Sequence, residues 1–188
     1  MSWVKRSRVE RRLALRWLAV AALGALLGGC FQPMYAENTV AGTPGLRDKL
    51  AAVDLPTVKT GNVNDARLGV NLKNALAFAM YGSATGSSPT HRLEVRLSTS
   101  RTSIIVDVTT ARPDIEDYGI DASFVLREIA TNKPVVQGTT FARVSYDIPG
   151  QEQRFARARG FRDAEDRATQ EIADKISQRL ASYFVAGT

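Results

Sequence analysis

Tyr118-Gly119-Ile120-Asp121-Ala122-Ser123-Phe124-Val125-Leu126-Arg127 decides the fold class. Its even positions are all apolar, and its odd positions are mostly small or charged. A period of two with one apolar side is the mark of a β-strand that buries one face and wets the other. Such a strand needs neighbours in the sheet and a layer to cover its apolar face, and both can be sought on either side of it.

Upstream, Leu93, Val95 and Leu97 alternate with Glu94 and Arg96, and Ile104-Ile105-Val106 continues the extended run. Ala111-Arg112-Pro113-Asp114 reads as the turn between the two strands. Downstream, Thr131-Asn132-Lys133-Pro134 connects to a further strand over 135–147, giving a hairpin. The segment 50–58 reads as a first strand, which Pro56 restricts to an edge or a strand end.

Two segments have helical period. Leu68, Leu72, Ala75, Leu76, Ala79 and Met80 recur at three- and four-residue spacing, predicting a helix over 65–80. Asn64-Asp65 supplies its N-cap signal and Gly82 its stop. Ala164, Ala168, Ile172, Ile176, Leu180 and Phe184 form a second stripe, on a helix expected to begin near Asp163. Asp163, Glu165 and Asp166 then suit its N-terminal dipole, and 148–162 reads as irregular. Two one-faced helices and about four one-faced strands predict an α+β two-layer sandwich, with both helices packed on one face of the sheet.

The first thirty residues read differently. Residues 1–16 are basic, and 17–27 are an unbroken apolar run of eleven. A bilayer span needs about 20 apolar residues, so the run fits an export signal better than a membrane helix. It ends at Leu27-Gly28-Gly29-Cys30, which resembles the bacterial lipobox, whose Cys is acylated on sulfur and on its new amino terminus. Each buried methylene adds about 0.8 kcal/mol, so several chains anchor a protein firmly. Cys30 is the only cysteine, which excludes an internal disulfide, and a lipid bond accounts for an otherwise unpaired thiol. Phe31 follows it where Asp would signal inner-membrane retention in enteric bacteria, so outer-membrane sorting is expected. The expected organisation is a signal peptide over 1–29, lipidated Cys30 with a flexible tether over 30–49, and a domain over 50–188.

The net charge of +6 gives little support to nucleic-acid binding. Six basic residues against Glu10 alone place most of that excess within 1–29, and the remainder is nearly balanced. Phosphate-backbone binding needs a concentrated basic surface. No Gly-rich phosphate loop or Gly-x-Ser-x-Gly setting is present, and Gly82 to Gly86 lacks the Lys-Ser/Thr continuation. His91 is the only histidine and reads as exposed at a strand start, so no metal site or cofactor is expected. Asp114, Glu116 and Asp117 read as a solvated acidic turn. No enzyme chemistry is predicted. The residues with ligand-binding character are Arg154, Arg157, Arg159 and Arg162, with Arg92, Arg96 and Arg101 as a second set. Guanidinium makes two-pronged bonds to phosphate, which suits both sets to an anionic ligand.

Cys30-Phe31-Gln32-Pro33-Met34-Tyr35 resembles the start of the mature lipopolysaccharide-assembly lipoprotein LptE family, where Cys precedes a Phe-x-Pro-Leu-Tyr-like motif. Phe141 to Tyr146, Arg162-Asp163-Ala164-Glu165-Asp166-Arg167 and Leu180 to Phe184 are similar to the alphaproteobacterial branch. Met34 stands where Leu is commoner. The resemblance implies a non-enzymatic outer-membrane lipoprotein that plugs the LptD β-barrel, assists its assembly and handles lipopolysaccharide. Its implied fold is a four-stranded sheet with two helices on one face. The competing expectation is an accessory lipoprotein of another envelope lipid transporter or of peptidoglycan synthesis. A lipid-anchored hydrolase is a third, without recognisable catalytic spacing.

Overall fold

Residues 112–128 form the central strand of the sheet, and the alternation that marks them in sequence is visible in their burial. Tyr118, Ile120, Ala122, Phe124 and Leu126 are all at most 4% exposed, while Asp121 and Ser123 face solvent. The computed structural model describes residues 44–62, 65–82, 88–107, 112–148 and 154–186. Cys30, the signal segment and most of the tether lie outside the described residues. So do Asn64 and most of the Gly82 to Gly86 loop.

The elements run α1 (Leu46–Ala51), β1 (Val53–Asp54), β2 (Lys59–Thr60), α2 (Ala66–Tyr81), β3 (His91–Asp107), β4 (Arg112–Glu128), β5 (Pro134–Asp147) and α3 (Arg154–Ala186). β3, β4 and β5 make an antiparallel meander, in which Leu93 faces Leu126 and Leu126 faces Val136. The hairpin between β4 and β5 turns at Asn132, whose φ of 55° is tolerated by a short amide side chain. β1 and β2 add in parallel, one after the other, to the free edge of β3. The result is α+β, a mixed sheet with helices on one face and the other face open.

Leu68, Leu72, Leu76 and Met80 of α2 and Ala164, Ala168, Ile172, Ile176 and Leu180 of α3 are at most 2% exposed. They join the inner residues of all three long strands in one cluster. Each fully buried Leu or Ile there contributes about 2 kcal/mol. α2 closes at Gly82, whose φ of 60° is a left-handed conformation that a side chain would strain.

Several expectations are corrected. The expected strand over 50–58 is interrupted: 46–51 is helical, and Pro56 separates two strands of two residues each. Leu46 and Leu50 lie on one helical face and are buried, so the folded part begins before residue 50. The turn expected at Ala111 to Asp114 is strand from Arg112 onward, with Arg112 paired to Asp107. The irregular stretch 148–162 is helical from Arg154, two turns and more before Asp163.

That earlier start changes what the acids of α3 do. They sit inside the helix and make side-chain pairs instead of meeting its dipole. Asp163 binds Arg167 at 2.8 Å, Glu165 pairs with Arg67 of α2, and Asp166 accepts a weak bond from Asn71 at 3.5 Å. Asp65 stands at the N-cap of α2 as expected, but its side chain makes no capping bond. Its Oδ2 accepts a hydrogen bond from Thr99 Oγ1 at 3.0 Å, tying the helix start to β3.

Candidate functional site: a basic and aromatic cluster where α3 meets the sheet

The two arginine sets predicted from sequence are split and partly recombined by the fold. Residue parity along β3 decides the split. Arg92 and Arg96 alternate with the buried Leu93, Val95 and Leu97, so both point to the open face. Arg101 is in phase with Leu93, Val95 and Leu97 and points to the helix face. Arg92 is neutralised by Asp54 at 3.0 Å. Arg96 makes no ion pair or hydrogen bond among the described residues.

Arg101 lies over the ring of Phe161 on α3, with its guanidinium carbon 4.0 Å from the ring centre. Phe161 packs edge-on against Tyr118 at 5.3 Å and tilted against Tyr146 at 5.9 Å. Tyr146 donates from its hydroxyl to Glu116 Oε2 at 2.5 Å, and Arg157 reaches the other oxygen of Glu116 at 3.7 Å. One member of each predicted arginine set therefore converges on a single aromatic group. Arg154, Arg159 and Arg162 do not join it. They are exposed and make no ion pair or hydrogen bond among the described residues.

Glu116 and Asp117, expected in a solvated turn, lie in β4 and have partners on β5 and α3. Glu116 is held as above, and Asp117 accepts from Ser145 Oγ at 2.5 Å. Burial, assisted by Asp65, pushes the Tyr118 phenol up to about 12. Burial and the bond to Glu116 push Tyr146 up to about 12 as well. Both phenols stay neutral at physiological pH, and the guanidiniums carry the positive charge of this end. Phe155, 93% exposed, and Ile104, 52% exposed, lie toward the same end of the molecule. The arrangement offers cations, hydrogen-bond donors and apolar surface, which suits recognition of an amphipathic anion. Among the described residues no group of three or more His, Cys, Asp or Glu is placed to hold a metal ion.

His91 departs from its expected exposure. It is half-buried, its ring edge-on to Phe184 at 5.2 Å, and burial lowers its pKa against the opposing pull of Glu128. It lines an apolar hollow of about 620 Å³ with Pro44, Lys49, Ala52 and Phe184. This hollow is at the opposite end of β3 from Arg101. Ten residues of strand, about 33 Å, separate the place where the described chain begins from the basic cluster.

Sequence reasoning missed Phe161, Tyr146 and Tyr118 as parts of a site. Their aromatic character was the available signal, but their meeting depends on α3 crossing β4 and β5.

This fold is shared with small bacterial lipoproteins. A protein from Caulobacter crescentus CB15 described as a lipoprotein superimposes with a TM-score of 0.57 at 19% identity, over 76% of this chain and 97% of that one. Rare lipoprotein B from Shewanella oneidensis superimposes with a TM-score of 0.51 at 14% identity, over 71% of this chain and 98% of that one. At these identities the likeness is one of fold. No family model and no curated protein matches the sequence.

Proposed function

We propose that this chain is a lipid-anchored outer-membrane protein of the LptE type, the plug of an LptD barrel in lipopolysaccharide transport. The observation that carries the reading is a single Cys placed directly after an export-type apolar run, ahead of a domain whose fold small lipoproteins share. The role is binding, without covalent chemistry. Arg101 and Arg157 offer charge to lipid phosphates, and Phe155 and Ile104 offer surface to acyl chains. The ion-paired open sheet face suits a wet barrel lumen.

The test has three parts. Mass spectrometry of the purified protein is expected to find Cys30 at the amino end carrying acyl chains, and Cys30→Ala to abolish them. Affinity purification is expected to bring down an LptD barrel in equal amount. Depletion is expected to trap lipopolysaccharide in the periplasm. An unmodified amino end overturns the anchor. Lipidated protein without barrel or lipopolysaccharide effects overturns the plug role alone.

A further inference from the structure

The open face of the sheet is a grid that the strand register fixes. Arg96, Ser123 and Thr139 lie side by side in one row, and Ser98, Asp121 and Phe141 in the next. All six are exposed. Strands lie about 4.8 Å apart, so hydroxyls in adjacent strands are spaced much as the hydroxyls of a sugar ring and its neighbour are. Short side chains in the middle leave a shallow trough of about 440 Å³, walled by Arg96 on one side and Phe141 on the other.

Three arginines of this face have acidic partners. Arg92 binds Asp54, Arg127 approaches Glu94 at 4.0 Å, and Arg143 grips both oxygens of Asp121 at 2.9 Å. Arg96 has no partner among the described residues, and neither has Lys59, which stands beside it in register on β2. A ligand lying in the trough therefore meets the uncompensated cation of Arg96, three hydroxyls that both donate and accept, and a carboxylate with lone pairs to spare. It also meets the ring of Phe141, 60% exposed, with the cations of Arg143 and Lys175 beyond 5 Å from its centre.

We propose that this trough binds an acidic saccharide. Its carboxylate or phosphate pairs with Arg96, its hydroxyls bond to Ser98, Ser123, Thr139 and Asp121, and the apolar side of a sugar ring rests on Phe141. An acidic peptide would use Arg96 but has no need of three short hydroxyls beside an aromatic wall. The trough is too open to enclose a small molecule, and its length across three strands suits an oligosaccharide. The inference does not depend on the barrel role.

The test is an NMR titration of the full chain in detergent micelles. Four probes are used: lipid-free lipopolysaccharide core oligosaccharide, muramic-acid-containing peptidoglycan fragments, a neutral glucose oligomer and hexaglutamate. Saturable shifts confined to residues 96–98, 121–123 and 139–141 with either acidic saccharide are expected, and the one that binds identifies the source. Arg96→Ala is expected to weaken binding about tenfold, with partial rescue by Arg96→Lys. Phe141→Ala is expected to weaken it about fivefold. These side chains are on the surface, so the variants keep the fold, and Lys73→Ala, at an exposed position of α2, serves as a control that leaves this binding unchanged. Absence of binding by both acidic saccharides, equal binding by hexaglutamate, or indifference to Arg96→Ala overturns the proposal.

Discussion

Arg101 and Phe161 are sixty residues apart in sequence, and the guanidinium carbon of one lies 4.0 Å from the ring centre of the other. A cation over an aromatic face contributes about 0.5–1 kcal/mol when partly exposed. The ring itself does more, because it fills the space between Tyr118, Tyr146 and α3. Phe161→Ala is expected to destabilise the fold by about 2–3 kcal/mol, the value for a large aromatic that is only partly buried. A double-mutant cycle with Arg101→Ala, read by urea unfolding, is expected to give a coupling of about 0.5–1 kcal/mol. A coupling of zero would mean that the contact is incidental.

Among the described residues Glu165 is the one buried charged residue, its side chain 8% exposed and its carboxylate paired to the half-exposed guanidinium of Arg67. The pair ties α2 to α3. Removing only the cation leaves a buried carboxylate without its counter-charge, so Arg67→Ala is expected to cost about 2 kcal/mol, reduced from the fully buried case because Arg67 is half in water. Glu165→Leu in the same background is expected to restore most of the loss, since an apolar side chain needs no partner there. Denaturation midpoints of the single and double variants check both statements.

The fold was legible where burial is one-sided. Tyr118 to Leu126 and Leu68 to Met80 each bury one face, so their periods of two and of about 3.6 are written in their polarity. The first turns of α3 have no such face. Arg154, Phe155, Ala156, Arg157, Ala158 and Arg159 are all exposed, so no stripe distinguishes helix from loop. Helix α1 is six residues long, and Leu46 and Leu50 alone cannot establish a period. Arg112 to Asp114 read as a turn because Pro113 breaks most ladders, yet β4 carries it opposite Val106 next to an irregularity in register. The arginines of the site were legible as charges but not as a site. Only the crossing of α3 over the sheet brings Arg157 to Glu116 and Phe161 to Arg101.

Three tyrosines make the protein sensitive to alkali. Tyr81, whose hydroxyl donates to the Val53 carbonyl, is pushed up to about 12 by burial and by Asp54. Tyr118 and Tyr146 are raised to about 12 as well, mainly by burial. In the unfolded chain each titrates near 10. Below about pH 10 both states hold these protons, and the stabilisation is complete. Between about 10 and 12 the unfolded chain releases protons that the folded chain keeps, so stability falls as pH rises through that window. Tyrosinate absorbance is expected to rise together with loss of helical circular dichroism, and Tyr146→Phe is expected to make the decline shallower. Ionisation of all the tyrosines near pH 10 without unfolding would contradict the burial.

Gly119 is where the open face can be probed without touching the core. A Cβ at this position would come within 2.6 Å of Ser100 Oγ and 2.9 Å of the Arg143 side chain, which crosses the glycine to reach Asp121. Gly119→Ala must therefore push Arg143 aside and weaken its two-pronged bond, at a cost of about 1–2 kcal/mol. Gly119→Ala combined with Arg143→Ala is expected to recover part of that cost, because the obstructing side chain is gone. Thermal unfolding of the two variants separates steric obstruction from a backbone requirement for glycine.

The basic cluster makes a functional prediction that separates convergent charges from scattered ones. Arg101 and Arg157 meet at Glu116, Tyr146 and Phe161, whereas Arg159 and Arg162 are exposed neighbours one turn apart on α3 that do not reach this cluster. Charge-assisted bonds to phosphate gain most when two guanidiniums can address one anion. Arg101→Gln with Arg157→Gln is expected to weaken binding of purified lipid A about tenfold at moderate salt, while Arg159→Gln with Arg162→Gln changes it by less than about twofold. Glutamine keeps much of the side-chain length over Phe161, so the fold is retained and circular dichroism can verify it. Equal effects from the two pairs would show that net charge alone attracts the lipid, and would remove the convergence at Phe161 from the account of recognition.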